Sequence, residues 1–184
     1  MIVNGRSLYK ASPIDKMLST KCFTRDSTHG LGEAGYDICI KQDITFTRDF
    51  FLRRCVESID YGEDEEGNEI LIHRRDSGKF VLASSKERFQ MPPHLVGIVH
   101  DKSTWARRGV SVFNTVIEPG WHGYLTLELV YHGWRDLHIP AGTGIAQVIF
   151  HELTHWARYE GRYQNQANEP VPAIEARQAA DLFG

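Results

Sequence analysis

The segment from Lys102 to Arg107 concentrates groups that can bind an anion. The hydroxyls of Ser103 and Thr104 stand between a lysine and an arginine, directly after the apolar run Leu95–Val99. Such side chains donate charge-assisted hydrogen bonds to phosphate oxygens, and backbone N–H groups can add to them. The Walker pattern G-x-x-x-x-G-K-[ST] is absent from the sequence. The segment is therefore either a phosphate-binding turn of another kind or a basic surface turn.

Glu128 is a carboxylate in the middle of an otherwise good strand. Alternation along the strand places one set of side chains on a single face: Tyr124, Thr126, Glu128 and Val130. Leu125, Leu127 and Leu129 then share the other face. A carboxylate held rigidly at a pocket wall can shuttle protons. The alternative interpretation is an exposed face or a satisfied ion pair.

The segment from Tyr159 to Gln166 combines aromatic rings, Arg162 and side-chain amides ahead of a polar tail. An arm of this composition could fold over a bound base and its phosphates, because it brings stacking and positive charge together. A polar linker is the alternative.

The run His151-Glu152-Leu153-Thr154-His155 matches H-E-x-x-H, which on a helix presents two imidazoles for zinc and a glutamate as general base. However, Ile145–Phe150 has the pattern of a strand that runs straight into this motif without a helix cap. A third ligand is not singled out by the sequence. We therefore expect the two histidines to lie at a turn, and a zinc hydrolase is the remote alternative.

The elements that must position these groups are mostly short strands. The chain has 184 residues, of which 41% are hydrophobic and 24% charged, which excludes disordered, collagen-like and coiled-coil chains. From Lys79 onward, strand patterns recur about every ten residues and indicate an antiparallel sandwich or barrel. Residues 62–69 look like the acidic tip of a hairpin between Val56–Ile59 and Ile70–Ile72, and residues 5–20 predict a short helix with Pro13 near its start. We expect a single domain over residues 1–163 and a C-terminal arm over residues 164–184.

Charge and cysteine content limit the partners and the compartment. The net charge is -3, without the basic excess that is usual for duplex-DNA binders. The three cysteines share no metal-ligand spacing, which favours a reduced, cytoplasmic compartment. The amino terminus lacks the apolar region of a signal peptide, and no apolar run is long enough to span a membrane. We expect neither a nucleic-acid partner nor a membrane anchor.

Together these segments resemble the deoxycytidine triphosphate deaminase and deoxyuridine triphosphatase (dUTPase) superfamily, from about residue 34 to residue 166. The motifs that carry the resemblance occur in the family's order: Ala34-Gly35-Tyr36-Asp37, Phe80–Ser85, Lys102–Arg107, Glu118–Gly123, Leu125–Leu129, Ala141–Gln147 and Arg162–Gln166. The resemblance implies a mainly β, distorted antiparallel barrel or jelly-roll-like dUTPase-type fold. A short N-terminal helix and a C-terminal arm complete this expected fold. It also implies a homotrimer with sites at the subunit interfaces.

The reaction that the resemblance implies is hydrolytic deamination of dCTP at a zinc-free site. Glu128 would take a proton from the attacking water, and Ser103 would position the water or the amino group. The resemblance also supplies a substrate-binding set: Lys102, Thr104, Arg107, Glu118, Trp121, Tyr124, Tyr159, Arg162, Tyr163 and Gln166. In this set the basic side chains and Thr104 hold phosphates, and Trp121 flanks the base or sugar. Mg²⁺ would be bound through the substrate phosphates.

Two departures from the family pattern leave other activities open. Glu118 stands where the family usually has aspartate, and the stretch Val112–Ile117 is shorter than in the best-known deaminases. A dUTP diphosphatase, or a bifunctional enzyme that makes dUMP, is therefore the main alternative, although Glu128 favours deamination. A non-catalytic nucleotide sensor is a third possibility. Whether the cytosine carries a 5-substituent and whether dTTP inhibits are questions that the sequence leaves open.

Overall fold

Short antiparallel strands make up most of the chain. The computed structural model describes residues 1–24, 27–63, 66–113 and 115–175. The strands are β1 (Ile2–Val3), β2 (Lys21–Phe23), β3 (Thr28–Leu31), β4 (Tyr36–Cys39), β5 (Asp43–Arg48), β6 (Arg54–Glu63), β7 (Glu69–Ser77), β8 (Phe80–Gln90), β9 (Leu95–Asp101), β10 (Val110–Val112), β11 (Val116–Ile117), β12 (His122–Tyr131), β13 (Leu137–Ile139) and β14 (Gly144–Glu152). The helices are α1 (Gly5–Ala11) and α2 (Ser103–Ala106). The prediction of a mainly β fold is confirmed.

The described residues form three sheets. One has the strand order β11-β9-β14-β4-β3-β2, with β1 also paired to β14; the others are β10-β12-β8 and β13-β5-β6-β7. These sheets are not closed into a barrel, which differs from the expected architecture in detail. In the sheet β13-β5-β6-β7, the edge strand β7 is exposed along almost its whole length and pairs only with β6 among the described strands.

The N-terminal helix is shorter than the residue pattern predicts. α1 ends at Ala11, and Ser12 caps it in the left-handed conformation with φ 47° while its N–H donates to Leu8. Pro13 therefore follows the helix and does not begin it, as is common just after a helix end. Ile14 still reaches the core, but through a bridge to Phe89 of β8. No helix in the described part of the chain is long and apolar enough to cross a membrane.

α2 is fixed to the large sheet through Trp105. Its ring is 1% exposed, and its Nε1 donates to the carbonyl of Gly144, at 2.9 Å, at the start of β14. A side chain at Gly144 would come within 1.9 Å of the Thr28 carbonyl, so the backbones can meet only because this residue is glycine. The core thus holds α2 rigidly at the end of β9.

The C-terminal segment packs along β12. Its described part extends to residue 175, and residues 176–184 of the predicted arm lie outside the described residues. The division into a domain and an arm remains a prediction. Residues 163–174 make specific contacts with β12 and with each other.

Candidate active site

The candidate site is a cavity of about 580 Å³ beside the sheet β10-β12-β8. Its size is in the range of small-molecule sites. Its walls come from β8, β12, the residues around β11 and the C-terminal segment. The lining residues are Phe80, Leu82, Thr115, Val116, Ile117, Glu118, Trp121, Leu125, Thr126, Glu128, Tyr159, Tyr163, Gln166, Val171, Pro172 and Ala173.

Glu128 is the carboxylate set deepest in this lining. It lies directly across from Leu82 of β8, and its backbone carbonyl accepts the N–H of Phe113 at 3.0 Å. The side chain is half-buried, and this burial raises the pKa of the Glu128 carboxyl above its ordinary value. A carboxyl of this kind, on a rigid strand, is suited to accept and return a proton.

A bulge in β12 turns consecutive residues toward the cavity. The register against β8 shifts between Tyr124, which pairs with Arg88, and Thr126, which pairs with Ser84. Because strict alternation is broken here, Leu125 and Thr126 both line the cavity, and Tyr124 does not. The predicted division of this strand into two faces therefore holds only beyond the bulge.

The Pro119-Gly120 turn fixes Trp121 at the start of β12. The Trp121 carbonyl accepts the N–H of Met91 at 2.8 Å, while the Gly120 N–H donates to Met91 at 3.1 Å. The indole Nε1 of Trp121 donates to the carbonyl of Tyr163 at 2.7 Å. The turn and the arm thus hold the ring from two sides.

The arm lies against β12 through main-chain contacts. The N–H of Tyr124 donates to the Gln166 carbonyl at 3.1 Å, and Gly123 bridges Gln166 in parallel. Gly123 has φ +134°, and a Cβ there would lie 2.6 Å from the Gln166 nitrogen. Only glycine adopts this φ readily and also leaves room for the backbone of Gln166.

Beyond this bridge the arm closes on itself over the cavity. Val171 donates its N–H to the Thr126 hydroxyl at 3.1 Å. The Ile174 N–H donates to the Tyr163 hydroxyl at 3.1 Å, and Arg162 donates to the Ile174 carbonyl at 2.9 Å. The two ends of the loop between Tyr163 and Ile174 are therefore tied together, with Val171–Ala173 forming part of the cavity wall.

The predicted phosphate segment lies elsewhere on the chain. Lys102 forms an ion pair with the carboxylate of Asp37, which also accepts the Thr28 hydroxyl at 2.9 Å and the Gln147 amide at 3.2 Å. Ser103 and Arg107 are exposed at the ends of α2. Among the described residues, none from 102 to 107 lines the cavity.

The H-E-x-x-H run does not form the helix that the zinc hypothesis requires. His151 and Glu152 end strand β14, and His155 lies in an exposed segment after it. Within the described ranges, no three His, Cys, Asp or Glu side chains are grouped so that they could hold a metal ion.

The structure thus divides the predicted site residues into two sets. The cavity brings together Glu118, Trp121, Glu128, Tyr159, Tyr163 and Gln166. Away from its lining are Lys102, Ser103, Thr104, Arg107, Tyr124 and Arg162. The sequence reasoning did not select Leu82, Phe80 or Val171. Leu82 could be found only from strand pairing, since nothing in its own segment marks it.

Comparison with known proteins gives a consistent result. Residues 13–153 match the family described as dCTP deaminase-like. A dCTP deaminase from Sulfurovum sp. (strain NBC37-1) is 32% identical over 161 residues, which cover 82% of this chain and 83% of the relative. A dCTP deaminase from Campylobacter jejuni subsp. doylei is 32% identical over 157 residues, 80% of this chain and 82% of the relative.

A solved structure shares the fold. The 2'-deoxycytidine 5'-triphosphate deaminase from Agrobacterium tumefaciens superposes with a TM-score of 0.51 at 15% identity. The match covers 84% of this chain and 48% of that one.

Proposed function

The chain belongs to the dCTP deaminase-like family, and on this basis we propose that it hydrolyses dCTP to dUTP and ammonia. The observation that carries the proposal is the position of Glu128, a half-buried carboxyl on a rigid strand inside the cavity. Water attacks C4 of the cytosine, and Glu128 takes its first proton and passes it to N3. Glu128 then takes the second proton from the oxygen on C4 and passes it to the amino group, so that the C4–N bond breaks and ammonia leaves.

The distribution of polar groups supports one orientation of the nucleotide. Tyr163 and Gln166 contact Trp121 and Gly123 where β12 begins. Gly123 is five residues before Glu128, roughly 16 Å along the strand. The base then lies against Glu128, and the sugar and phosphates extend toward Trp121 and the arm. In this orientation the arm contacts the parts of the substrate that do not react.

A second copy of the chain completes the site in our proposal. Ser103, Thr104 and Arg107 offer exposed or partly exposed donors, yet they lie outside the cavity of their own chain. A homotrimer in which α2 of one protomer faces the Glu128 cavity of the next would unite the two sets. Lys102 would serve this arrangement by fixing α2, because Asp37 already binds its ammonium group.

The shared site has a direct test in mixed oligomers. Ser103→Ala and Glu128→Gln each remove activity, whereas co-refolding the two inactive variants restores part of it if one site uses two chains. Absence of recovery, together with sedimentation as a fully active monomer, contradicts the trimer.

Mg²⁺ enters our proposal only with the substrate. The ion prefers oxygen ligands and keeps several waters, so triphosphate oxygens suit it better than an all-protein cage. The carboxylate of Glu118 lines the cavity and is exposed, so it could contact a water of this ion or the sugar. We assign the ion to charge neutralisation on the phosphates.

The same carboxylate supports the second candidate activity. Because Glu118 lies at the polar end of the cavity, it could activate water toward the α-phosphate and release diphosphate. The products would then be dUMP and diphosphate, formed from dUTP or directly from dCTP. dTTP is the nucleotide that we would test as an inhibitor of either activity.

Product analysis separates these activities. Metal-stripped protein with Mg²⁺ is incubated with dCTP and, separately, with dUTP, and nucleotides, ammonia and diphosphate are measured. Ammonia and dUTP from dCTP, with dUTP left intact, establish the deaminase. Diphosphate from either substrate establishes the second activity, and turnover of neither contradicts both.

We also propose a cytoplasmic location. The three cysteines are free thiols, and two of them, Cys39 and Cys55, are buried. Free buried thiols are typical of proteins in reducing compartments. Cell fractionation with an antibody to the chain tests this point.

A further inference from the structure

The middle of the arm lies against the hairpin β6–β7. A second cavity, of about 240 Å³, is lined by arm residues 167–170 together with residues of β6 and β7. Within the described ranges, this lining shares no residue with the lining of the Glu128 cavity. The proposed reaction assigns no role to the hairpin, yet the hairpin supports the arm just before the arm reaches the Glu128 cavity.

Lys41 joins this hairpin to the arm. Its ammonium group lies 3.2 Å from the carboxylate of Asp60 on β6, and it donates to the main-chain carbonyl of Asn168 at 2.6 Å. The two side chains of the ion pair are 21% and 13% exposed, so solvent screens their attraction only in part. The backbone N–H of Lys41 also donates to the Ser84 carbonyl at 2.9 Å. Lys41 therefore holds Asn168 from a position that is itself fixed.

A buried amide ties the same carboxylate to β8. Gln42 is 2% exposed, and its amide nitrogen donates to the Asp60 carboxylate and to the Ser84 hydroxyl, each at 2.9 Å. The amide oxygen accepts the N–H of Ser84 at 2.8 Å. Asp60 is thus held in place for Lys41 by a side chain that has partners for both ends of its amide.

The sheet that carries these contacts reaches the arm a second time. Ser84 is paired with Thr126 of β12, and the Thr126 hydroxyl accepts the N–H of Val171. The arm is therefore held on the hairpin side at Asn168 and on the cavity side at Val171. Both contacts start from the paired strands β8 and β12, so the arm has one fixed position relative to the cavity.

We propose that Lys41 is a positioning residue, which holds the arm over the Glu128 cavity without touching the substrate. It does not line that cavity, and its contacts lie within one chain, so they leave the face offered to a neighbouring protomer unchanged. The inference rests on the proposed function for the nucleotide that the arm covers. When a ligand needs the docked arm, its apparent affinity falls with the fraction of molecules in which the arm is docked.

Hydrogen exchange of the full-length protein measures this contact directly. The Val171 amide, which donates to Thr126, reports on the arm, and the Val99 amide reports on the β core. We expect Lys41→Met to raise exchange at Val171 by about fivefold or more and to change exchange at Val99 by less than about twofold. An unchanged rate at Val171, or an equal increase at Val99, overturns the inference.

Steady-state kinetics with dCTP test the effect on the substrate. We expect Lys41→Met to raise KM by about fivefold and to keep kcat within about twofold, because the surroundings of the reacting atoms are unchanged. Lys41→Arg should stay close to the parent chain, since a guanidinium also donates to a carboxylate and a carbonyl. The matched control is Lys10→Met, an exposed lysine of α1 that lines neither cavity and should leave KM unchanged. An unchanged KM in Lys41→Met, or an equal rise in Lys41→Arg, overturns the positioning role.

A double variant tests whether Lys41 acts through the arm. Gly123→Ala displaces the arm from β12, because the added Cβ would lie 2.6 Å from the Gln166 nitrogen. In that background Lys41→Met should raise KM by less than about twofold further, since two changes that release the same element are not additive. A further rise as large as in the parent chain would show that Lys41 acts by another route, which overturns the inference.

Failure of the proposed function gives a different result. Absence of ammonia from dCTP in the parent chain contradicts deamination, whereas exchange at Val171 is measured without turnover. Isothermal titration with dCTP then gives Kd in place of KM. An equal Kd for the parent chain and Lys41→Met contradicts the positioning role alone.

Discussion

Lys102 is bound to Asp37, a buried carboxylate on β4, and this ion pair joins the start of α2 to the large sheet. Two further donors, from Thr28 and Gln147, hold the same carboxylate in place. The ammonium group therefore already has a buried partner, and the segment after it begins from a fixed point. Lys102 acts in this arrangement as a positioning residue for Ser103 and Arg107.

Lys102→Met should therefore lower both stability and activity. Removing one partner of a buried ion pair leaves the Asp37 charge without compensation, at a cost of about 3–5 kcal/mol. The double variant Lys102→Met with Asp37→Asn should recover much of this loss in urea unfolding. If Lys102 bound only phosphate, the single variant would raise KM without changing the unfolding midpoint.

Glu128→Gln should abolish ammonia release and leave nucleotide binding within a few-fold of the parent chain. The amide keeps the size of the side chain but cannot accept the proton from water. The matched control is Glu69→Gln, at an exposed glutamate of β7 outside the cavity lining, which should retain deamination. Isothermal titration with dCTP and an ammonia assay measure the two effects, and a Glu128→Gln variant with substantial turnover contradicts the assigned role.

The rate of deamination should fall on the acid side at a pH higher than an ordinary glutamate predicts. Burial raises the pKa of Glu128, and only the ionised carboxylate can accept the proton. Activity is therefore present above this raised pKa and is lost as the pH falls through it. Leu82→Ser admits water beside the carboxyl and should move the acid limb of kcat/KM to lower pH. An acid limb that Leu82→Ser does not move would assign it to another group.

Stability should also depend on pH through Glu87. Its carboxylate accepts the Cys39 N–H at 2.9 Å, but burial dominates and raises the pKa of Glu87 to about 7. The folded chain then binds more protons than the unfolded chain between about pH 4.5 and 7, so the free energy of unfolding decreases as the pH rises through this window. Glu87→Gln should make the free energy of unfolding less dependent on pH. The decrease in this free energy across the window should be smaller by an amount on the order of 1–3 kcal/mol. Equal slopes for the two proteins would contradict the assignment.

Gly123→Ala should detach the arm while preserving the β core. The added Cβ would lie 2.6 Å from the Gln166 nitrogen, and the residue would be held at φ +134°. We expect KM for dCTP to rise by about tenfold or more, with a smaller change in the unfolding midpoint. Gly67→Ala in the distant hairpin tip is the control, because it also has a positive φ, +81°, but no atom within 4 Å of its Cβ. Equal effects of the two variants on KM would argue against arm docking.

The sequence predicted the strands well because short alternating segments carry their own pattern. The hairpin β6–β7 and the strands β9, β12 and β14 are present where the pattern placed them. The bulge in β12 could not be predicted, since it depends on the pairing of Thr126 with Ser84 rather than on any local residue.

The candidate site was predictable where a residue type is unusual in its element. Glu128 stands out because a carboxylate interrupts an apolar strand, whereas Leu82 looks like any other strand residue. The role of Lys102 could not be predicted from its own segment, because its partner Asp37 lies 65 residues earlier in the chain. Only the folded structure shows which of the basic residues are already neutralised.

The arm joins its own ends, and this has a consequence for how the cavity opens. Tyr163 and Arg162 hold Ile174, so the intervening loop cannot peel away residue by residue from its far end. It has to release as one cooperative unit, whose amide hydrogens share one opening free energy while the β core stays protected. Access to the cavity is therefore a local transition with its own free energy, separate from global unfolding.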